Sequence, residues 1–171
     1  ESSFNRILRI FGHEAIDFPD RPKVAIFGAG LIGVRLAKAW LDENGTVTII
    51  EKNLDKANEL AGSDIGNRSG IEIIHGDHLD KDLLSEIEIG SHDIAISALD
   101  DDHASIAAAL LASDMGVERT GLIMYDADLV SVVRRMGITF SVDRKRVAID
   151  TILSRIHSEL PGPYAVLSSV P

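Results

Sequence analysis

Directly after the apolar run Val24-Ala25-Ile26-Phe27 the chain reads Gly28-Ala29-Gly30-Leu31-Ile32-Gly33, and a helical pattern opens within those glycines. A run that is apolar at every position is what a strand buried on both faces of a sheet presents. Taken alone, G-x-G-x-x-G is a weak pattern; between a buried strand and a helix it gains a steric meaning. Gly28 permits the tight turn, Gly30 lets a pyrophosphate approach the backbone, and Gly33 lets the helix lie close on the sheet. The free amides of Gly30, Leu31 and Ile32 then point at the phosphates, aided by the helix dipole.

A regular alternation follows. Helices are expected over Leu31 to Leu41, Leu54 to Leu60, Lys81 to Ile87, Ala104 to Ala112, Asp128 to Arg135 and Arg146 to His157. Strands are expected at Thr46 to Ile50, Ile71 to Ile74, Ile94 to Ile96, Thr120 to Met124 and Ile138 to Phe140, with a mobile loop at Gly62 to Gly70. Six strands alternating with helices imply a parallel sheet with right-handed crossovers and helices on both faces. The expected fold is therefore α/β, a Rossmann-like doubly wound six-stranded parallel sheet. Ahead of it, Phe4, Ile7, Leu8 and Phe11 recur at helical spacing in a short amphipathic helix, and residues 13 to 22, with Pro19 and Pro22, read as a linker; helix and linker are set apart from the domain as residues 1–21. The nucleotide-binding domain is placed at 22–158. Pro161-Gly162-Pro163 stops the last helix, leaving 159–171 as a tail or the start of another unit. The chain begins at Glu1 rather than Met and reads as a piece of something longer.

At the carboxyl edge of such a sheet, Glu51 ends the second strand, 18 residues after Gly33. A carboxylate there can accept hydrogen bonds from both ribose hydroxyls of an adenosine and would repel a 2′-phosphate, which favours NAD or NADH over NADP. The bland alternative is a tight turn and a solvated strand end. Lys52 could lie along the adenine or reach a phosphate. Asp77, just after the third strand, could accept from the adenine amine or merely start the next turn. Ala98 to Asp102 follow the fourth strand near the switch point; the three aspartates among them also suit a helix N-terminus. His75 and His78 flank Asp77, but the spacing is short and no third ligand is evident, so a metal is not expected.

A net charge of −10 argues against nucleic acid, because phosphate-backbone binding needs clustered Lys and Arg. The triplet Arg144-Lys145-Arg146 reads as a solvated face at a helix start. Cysteine is absent, which excludes thiolate chemistry and disulfides, and no apolar run approaches the roughly 18 residues of a spanning helix. After the final helix no catalytic constellation stands out, so a sensor is a more natural reading than an enzyme.

Lys23 to Gly33, Leu36-Ala37 and Ile49 to Asn53 together resemble the TrkA N-terminal (RCK, or KTN) domain. His75-Gly76-Asp77, Asp101-Asp102 and Ala148 to Leu153 are similar to later landmarks of that family, so the resemblance covers residues 22 to 157. It implies a cytoplasmic regulator, peripheral at the inner face of the cell membrane, that binds NAD or NADH and in many members ATP or ADP. It further implies dimers or higher homo-oligomeric rings docked on a membrane-embedded potassium transporter or channel. The nucleotide site it implies comprises Gly28 to Gly33, Glu51, Lys52, Asp77, His78, Ala98 and Leu99. This chain departs from the family at His78 and Leu79, where many members have Ala-Thr. It departs again at Leu99, Asp100 and Ser105, where many have Thr-Asn before the paired aspartates and an Asn three residues after them. The adenosine half looks intact, whereas the side of the phosphates and second sugar loses polar groups and gains negative charge. The alternatives are the cofactor half of an NAD-dependent dehydrogenase, or a degenerate unit that acts only in assembly.

Overall fold

The computed structural model describes residues 19–145, which form one sheet with helices on both faces. The strands are β1 (Lys23–Phe27), β2 (Thr46–Glu51), β3 (Ile71–His75), β4 (Ile94–Ser97), β5 (Arg119–Met124) and β6 (Phe140–Asp143). Between them run α1 (Leu31–Asp42), α2 (Leu54–Ala61), α3 (Lys81–Glu86), α4 (Asp102–Asp114) and α5 (Ala127–Arg134), with a 3-10 turn at Ile89–Ser91. The sheet order is β3-β2-β1-β4-β5-β6, and every neighbouring pair is parallel. Connections from β1 run outward one way and from β4 the other, so the doubly wound switch lies between these two strands. The Rossmann-like architecture expected from the alternation is the one observed. The expected helices at Phe4 to Phe11 and Arg146 to His157, and the tail, lie outside the described residues.

The two faces explain the continuous apolar runs. Val24 and Ile26 of β1 face a layer holding Leu36, Ala37, Trp40 and Leu41 of α1 and Leu60 of α2. Ala25 and Phe27 point the other way, against Leu84 of α3 and Ala108 and Ala112 of α4. All four β1 residues are fully buried, and a polar substitution at any of them would strand an unpaired group in the interior. Beyond β4, Ala109, Leu122, Met124, Val133 and Ile138 close a third cluster under α5.

The 62–70 connection folds into consecutive turns: Ser63 Oγ donates to the Leu60 carbonyl at 2.6 Å, and the amides of Asn67 and Arg68 reach the carbonyls of Ser63 and Ile65. The sixth strand is Phe140–Asp143, later than the expected Ile138 to Phe140. Gly137 turns the chain at φ +83° and Ile138 packs under α5, so regular pairing begins only at Phe140, opposite Gly121. The polar Ser141 sits inside the strand because its hydroxyl donates to the Val130 carbonyl of α5 at 2.9 Å.

Candidate functional site

The three glycines of the first turn answer to different constraints. Gly28 lies at φ +106°, and a Cβ there would sit 2.6 Å from the Ala98 carbonyl oxygen. Only glycine serves at that position. At Gly33 a Cβ would overlap the Gly28 carbonyl, so the third glycine sets the close approach of α1 to the turn. Gly30 is under neither constraint. Its backbone is ordinary (φ −73°, ψ −178°), and a Cβ would meet nothing closer than Arg144 Nη2 at 3.9 Å.

Gly30 is also the N-cap of α1 and offers no side-chain oxygen to the first-turn amides. The other helices among the described residues begin on a side-chain cap: Asn53 for α2, Asp80 for α3, Asp101 for α4 and Asp126 for α5. A helix start leaves its first N–H groups without intrahelical acceptors. In α1 these face the carboxyl edge of the sheet at the switch point, uncapped.

Glu51 stands beside this turn at the end of β2. It is 8% exposed, and each oxygen accepts a backbone N–H, Oε1 from Ala29 at 2.9 Å and Oε2 from Asn53 at 2.8 Å. A carboxylate has about four acceptor positions, so two remain for a ligand's hydroxyls. Lys52 and Asp77 lie on the β3 side, where Lys52 Nζ and Asp77 Oδ2 are 3.9 Å apart and both exposed. Asp77 Oδ1 also accepts from the Leu79 amide at 2.9 Å, the turn-starting role expected as one of its two uses. His78 turns inward: it is buried, its ring is 6.4 Å from that of Phe27, and burial holds its pKa below the usual histidine value.

On the far side, Ala98 is buried against Gly28, and the Leu99 amide donates to the buried Ser105 hydroxyl at 3.3 Å. The three following aspartates divide their work. Asp101 caps α4, accepting from His103 and Ala104, and these bonds lower its pKa. Asp102 accepts from the amides of Tyr125 and Asp126 at 2.8 and 2.9 Å. Asp100 gathers three partners: Lys56 Nζ at 3.6 Å, the Tyr125 hydroxyl at 3.2 Å, and Arg144 Nη2 at 3.9 Å.

Arg144 is the residue that the sequence reading misplaced. Its side chain is 17% exposed rather than solvated, with the guanidinium carbon 4.6 Å from the Tyr125 ring centroid. The signal available was its position: it immediately follows β6, hence lies at the same edge as the glycine turn. Among the described residues no group of three or more His, Asp or Glu side chains is placed to hold a metal, and no helix is long and apolar enough to cross a membrane.

Comparison with known proteins gives the family and the fold. The family model for the TrkA-N domain matches residues 24–143. The Trk system potassium uptake protein TrkA of Azorhizobium caulinodans is 26% identical over 95% of the chain, and that of Halomonas elongata 30% identical over 80%. The chain spans 34% and 29% of the lengths of these relatives. Among solved structures, the TrkA-N domain of an Escherichia coli inner membrane protein superposes with a TM-score of 0.63 (15% identity, 82% of this chain, 99% of that one). The GsuK channel bound to NAD gives 0.63 (20% identity, 88% and 27%). The AMP-bound Kef C-terminal domain of Shewanella denitrificans gives 0.61 (16% identity, 84% and 85%). These likenesses establish the fold.

Proposed function

The chain belongs to the TrkA-N domain family, and on that premise we propose that it is a nucleotide-sensing regulatory domain of a potassium transporter or channel. The phosphates lie on the amides of Gly30, Leu31 and Ile32, and Glu51 accepts from the adenosine ribose. Lys52 and Asp77 border the adenine, and Ala98 and Leu99 wall the opposite side. The ligand class is NAD(H) or the adenine nucleotides ATP and ADP. The names of the relatives support the potassium-transport assignment, and the NAD- and AMP-bound neighbours support a nucleotide as ligand.

The observation that carries this reading is Gly30. Neither backbone conformation nor packing requires glycine there, and the helix it opens has bare amides at the switch point. A glycine that the fold itself does not need leaves room for a phosphate to approach the backbone.

In the proposed mechanism a homo-oligomer, a dimer or ring, docks on the cytoplasmic side of the membrane-embedded pore. The nucleotide binds one arrangement of the oligomer better than another, and that difference in affinity moves the pore's equilibrium. In this reading the sensing domain is placed at residues 22–158, with 159–171 a tail or the start of another unit. Calorimetric titration with NADH, NAD, ATP and ADP tests the reading. Binding that is lost in Glu51→Ala supports it, whereas no binding by any of the four leaves an assembly role instead.

A further inference from the structure

Arg144 reaches back from the end of β6 over the glycine turn, with Nη2 3.9 Å from where a Gly30 Cβ would stand and Nη1 3.5 Å from the Leu99 carbonyl oxygen. It thereby bridges the two walls of the crevice directly above the uncapped start of α1. A guanidinium carries five N–H donors in a planar fork. Among the described residues its polar contacts are that one long bond to Leu99 and the Asp100 carboxylate at 3.9 Å. Well-formed N–H···O bonds centre near 2.9–3.0 Å, so most of the donor capacity of this side chain is unused although it is only 17% exposed.

We propose that Arg144 is the phosphate-recognising side chain of this crevice, selecting an adenine nucleotide with a free terminal phosphate over a dinucleotide. The inference rests on the nucleotide-site reading given above. A phosphate laid on the Gly30 to Ile32 amides has the guanidinium on its outer side, and a terminal phosphate offers the fork three unesterified oxygens and a second negative charge. In a dinucleotide each phosphate keeps only two unesterified oxygens and a single charge, and the second ribose must continue toward Leu99, across the ground the guanidinium occupies. The Leu99 side chain narrows that path further, with Cδ2 3.3 Å from where a Gly28 Cβ would stand. When a phosphate draws Arg144 away, Asp100 keeps Lys56 and the Tyr125 hydroxyl, so no carboxylate is stranded. The positive charge also offsets the acidic residues along this edge, which would otherwise repel the ligand.

The test is titration of the full chain with ADP and with NADH, for wild type, Arg144→Ala, Arg144→Lys and Glu51→Ala. Arg144→Ala is expected to weaken ADP about ten- to hundredfold and NADH by less than about threefold, with Arg144→Lys recovering part of the loss. The ratio of the two affinities within one preparation is unaffected by the folded fraction, so a destabilised variant still gives an answer. Equal weakening of both ligands, or unchanged ADP affinity in Arg144→Ala, overturns the proposal while leaving the site reading intact, provided Glu51→Ala still abolishes binding. A wild-type chain that binds neither ligand overturns both.

Discussion

Glu51 Oε1 accepts the amide hydrogen of Ala29 at 2.9 Å, so the carboxylate that ends β2 also fixes the shape of the turn that ends β1. The register placing Phe27 beside Ile50 brings the two together. Glu51→Gln therefore changes more than charge: one backbone N–H, of Ala29 or Asn53, is left facing an amide NH2. The expected loss is about 1–3 kcal/mol of stability, read as a lowered urea midpoint with unchanged m-value. An unchanged midpoint would show that the turn does not depend on this carboxylate.

Gly30 and Gly33 predict opposite outcomes for similar substitutions. Gly30→Asp supplies the cap that α1 lacks and should leave stability equal or raise it by roughly a few tenths of a kcal/mol. The new carboxylate takes the phosphate's place on the amides, so nucleotide binding is abolished in a folded protein. Gly33→Ala forces a methyl against the Gly28 carbonyl and should destabilise by about 1–3 kcal/mol or more. Thermal melts and titrations of both variants decide it; nucleotide affinity surviving Gly30→Asp counts against the site.

In the far half of the sheet, Gly121 and Phe140 are register partners, and a Cβ on Gly121 would overlap the tip of the Phe140 ring. Gly121→Ala should cost about 1–3 kcal/mol through overpacking. Phe140→Leu made alone opens a void, yet in the double variant it relieves the overlap. The double-mutant cycle should give a coupling of about 1 kcal/mol or more in the favourable direction. Additive losses would mean the ring moves aside freely.

His78 and His92 give a pH dependence. Both are buried, and burial, the largest cause for each, holds the folded-state pKa below the ordinary value of 6.5. At His92 the neutral ring suits its surroundings, with Nδ1 3.0 Å from the Ile89 carbonyl and Nε2 3.2 Å from the Thr48 hydroxyl. The unfolded chain thus binds these protons first. Stability is fully present above pH 6.5, declines as pH falls below it, and levels off once the folded-state pKa values are passed, with a slope of at most about 1.4 kcal/mol per pH unit per histidine. Urea midpoints across pH 5 to 8 measure this, and His92→Gln should flatten the acid limb. An acid limb equally steep in that variant would exclude His92.

The sheet was legible because four-residue apolar runs such as Val24 to Phe27 have few other uses, and Glu51 was legible from its distance to Gly33. What escaped depended on partners remote in sequence. The apolar Ile138 suggests an earlier start for β6, but it packs under α5, and pairing with β5 begins only at Phe140. The α4 helix begins at Asp102 rather than Ala104, because Asp101 closes on the amides of His103 and Ala104. In sequence Arg144 reads as part of a solvated triplet; only the folding of β6 beside β5 brings it over Tyr125 and into the crevice.

The two bonds from Asp102 to the amides of Tyr125 and Asp126 have a kinetic consequence. The protection of those protons against solvent exchange is governed by the carboxylate of the first residue of α4, directly after the loop that walls the crevice. Any displacement of the segment from Leu99 to Asp102 must be felt at the start of α5, on the other side of β5. Deuterium uptake at Tyr125 and Asp126 is therefore a native gauge of events at the glycine turn, readable without attaching a label anywhere near it.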